Sequence, residues 1–139
     1  MIHHGKCHCG ALSFAYRTEL APANWSIRAD QCSFCRAHGS RVTSDHSGFV
    51  EFHAEDPGSL RPYRFGQRTA DFLVCGKCGV FVGAMIETTN GCFAVVSVNA
   101  LVPQLENLPA AQPMSFDGES IEQRTRRREA RWTPCKPMT

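Results

Sequence analysis

Six of the eight cysteines fall in three close pairs, and this pairing constrains the fold more than any other feature of the sequence. In chain order, the pairs are Cys7/Cys9, Cys32/Cys35 and Cys75/Cys78. Two thiolates presented by one tight turn can reach the same ion, so close pairing is typical of metal ligation. Of the two remaining cysteines, Cys92 lies in an apolar strand pattern and is predicted to be a small buried hydrophobe. Cys135, in a Pro-rich tail, is predicted to take no part in a site.

The composition is that of an ordinary soluble globular chain, with 42% hydrophobic and 20% charged residues. A length of 139 residues fits a single small domain. The formal net charge of +2 gives no argument for a nucleic-acid partner, and no apolar run approaches the roughly 18 to 20 residues of a membrane span. The opening MIHHGKCHCG lacks the apolar stretch of a secretory signal, so we expect a cytoplasmic protein. The reducing cytosol disfavours disulfides, which leaves metal ligation as the favoured use of the paired cysteines.

Short apolar runs alternate with Gly, Asn, Asp and Pro, a pattern that indicates strands and turns. The predicted strands cover residues 11–17, 24–32, 47–54, 60–66, 70–75, 80–88 and 92–101. The turn TTNG at 88–91 predicts a hairpin, since Asn-Gly accepts the positive φ angles of tight turns. We therefore predict a mainly β fold, a single small zinc-stabilised domain of antiparallel sheets over residues 1–118. An irregular C-terminal tail over 119–139 would follow it.

Helical signals are few. Residues 33–40, SFCRAHGS, are predicted to form one helical turn that ends at Gly39. Residues 119–131 fit either a short polar helix or an extended arm, and five arginines fall between 124 and 131. This run is either a patch for an anionic partner or a solvated tail. The second interpretation is favoured, because no aromatic residues are interleaved and the net charge is small.

The first and third cysteine pairs together predict a structural zinc site. Cys75 and Cys78 flank a turn in which Gly76 and Gly79 permit the bends that aim both sulfurs at one ion. Cys7 and Cys9 are two residues apart, so both face the same way on an extended segment. Four thiolates make a closed tetrahedral site that ties the N-terminal strand to a distant hairpin. The alternatives are free cytosolic thiols or, for a lone C-x-x-C, a redox motif.

The second pair differs because Asp30 stands two residues before Cys32, which gives the pattern D-x-C-x-x-C. If the Asp30 carboxylate is a ligand beside Cys32 and Cys35, three protein ligands leave one coordination position open, as a catalytic zinc requires. The alternative is that Asp30 is a polar residue on the solvent face of a strand. A site with only the two cysteines would bind zinc far more weakly.

The ordered motifs C-x-C-G, C-x-x-C-R and F-x-V-C-x-x-C-G resemble those of the glutathione-dependent formaldehyde-activating enzyme family, whose domain also occurs in centromere protein V. The resemblance covers roughly residues 3–118. It implies a mainly β, β-tent-like fold in which Cys7, Cys9, Cys75 and Cys78 hold a structural zinc. It also implies a catalytic zinc at a second motif, C-x-C-x-x-C. In this chain the first cysteine of that motif is replaced by Asp30.

The resemblance further implies a zinc-dependent carbon–sulfur lyase that acts on a thiol–aldehyde adduct such as S-hydroxymethylglutathione. The partner would be a small-molecule thiol or its adduct, with Asp30, Cys32 and Cys35 as the catalytic residues. His38 and His46 are candidate bases close to the motif.

Three further points stay open at the level of sequence. Arg36 is a candidate to hold a substrate carboxylate. His3, His4 and His8 surround the first cysteine pair and are candidates to support its metal. Two other functions are weighed against the lyase: a non-catalytic zinc-stabilised binding domain that has lost the second site, and a thiol-redox protein that uses Cys32 and Cys35. The number of zinc ions per chain separates the first two, and a reversible disulfide would mark the third.

Overall fold

The structure is a computed structural model that describes residues 1–138. Within this range the chain forms thirteen regular elements, besides three short 3₁₀ turns. In chain order they are β1 (Ile2–Lys6), β2 (Leu12–Arg17), β3 (Ile27–Asp30), α1 (Ser33–His38), β4 (Val42–Thr43), β5 (Phe49–Ala54), β6 (Leu60–Tyr63), β7 (Asp71–Cys75), β8 (Phe81–Thr88), β9 (Gly91–Ser97), β10 (Gln112–Met114), α2 (Ile121–Arg131) and β11 (Thr133–Pro134). With 39% strand and 19% helix, the prediction of a mainly β fold is confirmed.

A small antiparallel sheet is built from the N-terminal part of the chain, in the strand order β1-β2-β5. Its sequence alternates as a half-buried sheet requires. In β2, the side chains of Leu12, Phe14 and Tyr16 are buried on one face. They pack on the second sheet together with Val50 and Phe52 of β5, so this face forms one side of the main core.

The large sheet has the order β10-β3-β4-β9-β8-β7-β6, with β11 paired to β9 beside this path. All of its pairings are antiparallel except that of β10 with β3. One face of this sheet packs against the small sheet, and it carries the buried side chains of Leu73, Val82 and Val96. Both faces are covered, which explains why β8 is buried along most of its length rather than alternating.

The opposite face of the large sheet carries a second apolar cluster, on which both helices lie. A β-bulge shapes it: Leu73 pairs with Gly83, but Val74 pairs with Phe81, which leaves one extra residue in β8. As a result Phe81 lies on the same side as Ala84. Simple alternation would have turned these two side chains to opposite faces.

Several local predictions are confirmed. The hairpin between β8 and β9 closes where Thr88 pairs with Gly91, whose φ of 132° is positive. Helix α1 ends at Gly39, which has a left-handed conformation (φ 59°) and donates its N–H to carbonyls of the last turn. Among residues 1–138, neither helix has the length and apolar character needed to span a membrane.

The prediction of an irregular tail needs correction. Of the two forms considered for residues 119–131, the helix is observed, and a reciprocal capping box between Ser120 and Gln123 begins it. After the helix, Trp132 is buried and β11 adds to the large sheet. Cys135 is also buried, and its N–H donates to the carbonyl of Cys92 over 2.9 Å. Cys135 is therefore a core residue outside the cysteine cluster, and the prediction that Cys92 is buried is confirmed.

Candidate functional site

Cys7, Cys9, Cys75 and Cys78 are brought together at the edge between the two sheets. All four Sγ atoms lie within 4.8 Å of one another. The Sγ of Cys9 is 3.7 Å from that of Cys7 and 3.6 Å from that of Cys75. Tetrahedral zinc–thiolate bonds of about 2.3 Å would separate neighbouring sulfurs by about 3.8 Å. The donor set therefore fits a metal ion of this kind, and the cluster can hold a metal.

Tight turns with backbone donors orient these sulfurs. The N–H of Leu12 donates to Cys7 Sγ over 3.3 Å, and the N–H groups of Lys77 and Cys78 donate to Cys75 Sγ over 3.3 and 3.4 Å. Such N–H···S bonds stabilise thiolates and fix their direction toward a metal. They explain why short turns on each side of the cluster are sufficient to build it.

Glycines make the turn at the third cysteine pair possible. Gly79 has a φ of 80°, which a residue with a Cβ rarely adopts. Gly76 serves differently, because a Cβ there would lie 2.5 Å from the carbonyl oxygen of Gly58. Burial raises the pKa of Cys78, but N–H groups of Cys9 and Val80 outweigh this and lower it to about 6. A thiolate is therefore favoured at this position at neutral pH, and a thiolate is the form of cysteine that binds metals.

The second cysteine pair lies at the start of α1. Cys32 caps this helix, since its Sγ accepts the N–H of Cys35 over 3.3 Å. Interaction with the neighbouring Cys35 thiol lowers the pKa of Cys32 to about 6, and the same interaction, with burial, raises the pKa of Cys35. The pair therefore has one partly exposed thiolate and one buried thiol.

Asp30 ends β3, two residues before Cys32. Among residues 1–138, the cluster of four cysteines is the one group of three or more ligand residues whose donor atoms lie this close together. The carboxylate of Asp30 with the sulfurs of Cys32 and Cys35 forms no such group. The three-ligand zinc predicted at these residues stays a prediction.

The Asp30 carboxyl group is nevertheless unusual. Its Oδ1 atom is buried and has no hydrogen-bond partner. Burial raises the pKa of this carboxyl group, partly offset by the positive charges of Arg28, Arg127 and Arg128. A buried, unpartnered carboxylate oxygen is rare in folded proteins and is typical of a site that meets another molecule.

Asp30, Cys32 and Cys35 line one wall of a cavity of about 320 Å³ between the large sheet and the two helices. This volume is at the lower end of the range for small-molecule sites, about 300 to 1,000 Å³. Arginines of α2 line the cavity as well, and most of the remaining lining is apolar. Its aromatic members are Phe65, Phe72, Phe81, Phe116 and Trp132.

Sequence reasoning missed the arginines. Arg124, Arg127 and Arg128 line the cavity, so the interpretation of the run as a solvated tail is wrong for these three. Their spacing of three and four residues places them on one helix face, whereas Arg126 is exposed on another face and pairs with Glu122. The capping signal S-x-x-Q at 120–123, with this spacing, would have found the helix and its cationic face.

The other candidates lie elsewhere. His38 is exposed and packs against Phe34 with tilted rings, 4.4 Å between ring centroids. His46 and Arg36 are exposed, and none of these three side chains lines the cavity beside Cys32. The roles predicted for them as bases or as a carboxylate ligand gain no geometric support.

The histidines near the first cysteine pair also take no part in the metal cluster. His3 is buried against Trp25, edge to face at 5.0 Å, where burial lowers its pKa. His4 and His8 are exposed. The four cysteines therefore form the cluster without a histidine ligand.

Comparisons with known proteins show the fold and no more. No family model matches the chain, and no curated protein gives a significant match. The chain is similar to the crystal structure of a Rhodobacter sphaeroides protein determined as a structural-genomics target, with a TM-score of 0.55 and 24% sequence identity. The match covers 80% of this chain and 99% of that one. The shared fold carries no statement of activity.

Proposed function

We propose that this protein is a zinc-stabilised carbon–sulfur lyase, the reaction type implied by the resemblance to the formaldehyde-activating enzymes, and that it makes and breaks thiol–aldehyde adducts, not necessarily those of glutathione, in the cavity beside Cys32. The observation that carries the proposal is that the candidate catalytic residues line the same cavity as cationic side chains. The Asp30 carboxyl and the sulfurs of Cys32 and Cys35 line one small cavity, and cationic side chains line it too. This arrangement supports the proposal, because a ligand in the cavity would meet a proton acceptor, a nucleophile and positive charge.

The four-cysteine cluster has a structural role in this proposal. Four thiolates favour zinc among the common divalent ions of proteins, and they leave no position open for a substrate. The ion would hold the loop between β1 and β2 against the turn between β7 and β8. It would stabilise the two-sheet packing and take no part in the reaction.

The chemistry of an adduct R–S–CH₂–OH can be assigned to residues of the cavity. Asp30 accepts the hydroxyl proton, the C–O bond becomes a carbonyl, and the electron pair of the breaking C–S bond goes to the sulfur. A guanidinium of α2 stabilises the departing thiolate, which then takes the proton back from Asp30. A carboxyl group whose pKa burial has raised suits both transfers, because it holds a proton more readily than an exposed one.

The Cys32 sulfur is a second nucleophile, besides the thiol of the adduct, and it lines the same cavity. As a thiolate it can attack the released aldehyde carbon, forming a C–S bond while the C=O π bond breaks and the oxygen takes a proton from water. This step is the reverse of the cleavage and needs no oxidant or reductant. It would retain a reactive aldehyde in the protein until another thiol collects it.

The test is exchange spectroscopy on the purified zinc-loaded protein. Formaldehyde is mixed with a small thiol, and two-dimensional exchange NMR measures how fast the adduct interconverts with its components. We expect catalytic amounts of wild type to accelerate the exchange, and Asp30→Asn to lose about 100-fold or more of that acceleration. Asp117→Asn, which removes an exposed carboxylate from the same lining, is the matched control. Absence of acceleration with folded wild type would refute the proposal.

A second candidate function is a non-catalytic zinc-stabilised binding domain. The observation that favours it is the lack of a three-ligand group at Asp30, Cys32 and Cys35. Under this alternative, metal analysis gives one zinc per chain, the cavity binds a ligand, and adduct exchange runs at the uncatalysed rate. Under the lyase proposal, the zinc content is the same, but exchange is accelerated.

A further inference from the structure

Two of the three cavity arginines already have a carboxylate partner. Glu119 accepts from Arg127 at 2.9 and 3.0 Å and from Arg124 at 3.2 Å. Arg127 also lies over the ring of Phe116, with 3.5 Å between its Cζ and the ring centroid. One glutamate thus balances one of these two charges and fixes both guanidinium groups as part of the wall.

Arg128 is different because it has no such partner. It is 9% exposed, and no carboxylate in the described part of the chain lies within ion-pair distance of it. Its Nη1 donates to Thr69 over 3.0 Å, and its Cζ lies 4.9 Å from the centroid of the Trp132 ring. Its Nε is buried and has no hydrogen-bond partner.

A buried guanidinium with an unused N–H is unfavourable unless another group completes it. Burial, with repulsion from Arg127 and Arg124, lowers the pKa of Arg128 to about 10, so it is still a cation at neutral pH. Because Arg128 lines the cavity, an anion bound in the cavity would meet a buried guanidinium that has no carboxylate partner. A carboxylate is the planar anion that a guanidinium matches best.

The aromatic part of the lining limits the chemical character of the ligand beyond its carboxylate. The ring centroids of Phe65 and Phe72 lie 4.8 Å apart, and Phe72 stacks on Phe81 with 6.0 Å between ring centroids. The three rings therefore form a continuous apolar surface. Trp132 adds a further aromatic side. Such a surface favours a planar apolar body and offers few partners for amides or ammonium groups.

The lining also disfavours a second anion on the ligand. Asp30 lines the same cavity with a buried, unpartnered carboxylate oxygen, and a second carboxylate on the ligand would be repelled by it. The lining therefore combines one guanidinium without a carboxylate partner, at Arg128, with one carboxylate, at Asp30. The ligand it suits carries a single carboxylate.

We infer that the cavity binds a small aromatic monocarboxylic acid, with its carboxylate on Arg128 and its ring among the phenylalanines. This inference rests on the proposed function for the identity of the reacting group. The thiol half of the adduct would be a compact mercapto acid with an apolar body. A polar tripeptide thiol would bury two carboxylates, an ammonium group and two amides against this lining.

The experiment is isothermal titration calorimetry of the wild-type, metal-loaded protein with benzoate, benzyl alcohol and glutathione as separate probes. We expect benzoate to bind at one site per chain and benzyl alcohol to bind about tenfold or more weakly, since it lacks the charge that Arg128 accepts. Glutathione should bind more weakly than benzoate. Equal binding of benzoate and benzyl alcohol, or tighter binding of glutathione, overturns the inference without any variant.

Two variants locate the site. Arg128→Met should reduce benzoate binding about tenfold or more, whereas Arg126→Met, the exposed arginine of the same helix, should leave it unchanged. Circular dichroism and zinc content verify that each variant is folded. An equal effect of both variants, or of neither, contradicts the placement at Arg128.

The lyase proposal is tested by adduct exchange, and the ligand inference is tested by binding. Each can therefore be refuted without the other. Benzoate binding with no accelerated adduct exchange would refute the lyase alone. Accelerated exchange of a glutathione adduct with no benzoate binding would refute this inference alone.

Discussion

Cys9 and Cys75 are separated by 66 positions in the sequence, yet their Sγ atoms lie 3.6 Å apart. Cys9 belongs to the turn that joins two strands of the small sheet, and Cys75 ends a strand of the large one. A metal between them therefore links the two sheets directly. The stability of the sheet packing and the occupancy of the metal should be coupled.

The first prediction concerns that coupling. Cys75→Ser should abolish stoichiometric zinc binding and lower the free energy of unfolding by more than about 3 kcal/mol, because one ligand of a closed site is lost. Zinc content and urea denaturation measure the two effects. Cys92→Ala, at a buried cysteine outside the cluster, should keep one zinc per chain. A Cys75→Ser protein with full zinc content would contradict the assignment of the cluster.

The second prediction is a pH dependence. The pKa of Cys32 is lowered to about 6 by the thiol of Cys35, so the thiolate fraction rises as the pH rises through 6. The rate of alkylation by iodoacetamide should therefore level off well below pH 9, and Cys35, which is buried, should stay unlabelled in the folded protein.

Cys35→Ser provides the control for this profile. A serine hydroxyl is a different donor at a different distance, so the alkylation profile of Cys32 should move toward higher pH. A profile that is the same in both proteins would show that Cys35 does not set the reactivity of Cys32.

The third prediction is that Asp30→Asn stabilises the protein. Burial raises the pKa of the folded carboxyl group, so between its unfolded and folded pKa values the folded state binds more protons than the unfolded state. The free energy of unfolding should then fall as the pH rises through that window. Removing the charge removes this slope and should add about 1 kcal/mol at neutral pH.

Urea denaturation at several pH values measures the slope, with Asp117→Asn as the control. Asp117 is exposed, so its replacement should change the free energy of unfolding little. A gain in stability at Asp30 combined with a loss of adduct exchange would identify a residue kept for function rather than for folding.

The fourth prediction concerns Gly76. A Cβ at this position would lie 2.5 Å from the carbonyl oxygen of Gly58, so Gly76→Ala must displace one of the two backbones. We expect a loss of about 1 to 3 kcal/mol in stability and weaker zinc retention against a competing chelator. Gly58→Ala is the matched control, since its Cβ would meet only Asp56 Oδ1 at 3.3 Å. Equal zinc retention by both variants would contradict this account of the turn.

The features predicted correctly from sequence are those with short-range causes. Leu12, Phe14 and Tyr16 alternate because one face of β2 meets the core, and this period is visible in any window of a few residues. The paired cysteines at 7/9 and 75/78 were found for the same reason, because each pair and its glycine turn are local.

The features that were missed depend on contacts between distant parts of the chain. The bulge that turns Phe81 toward the cavity follows from the register of β8 against β7, which no local pattern records. The arginines of α2 reach the cavity because Thr133 and Pro134 pair with β9 and hold the helix on the sheet. Asp30 shares their cavity without joining the cysteines, a result of side-chain placement that spacing alone does not fix.

The pairing of β11 with β9 holds α2 on the large sheet, so the cavity is completed by a late part of the chain. All four cysteines of the cluster are synthesised before α2, since the last of them is at position 78 and the helix begins at Ile121. The cluster can therefore be loaded on a nascent chain whose ligand cavity still lacks its cationic wall. We expect metal acquisition to precede binding competence, and a chain stalled within α2 to be metallated but unable to recognise an acid.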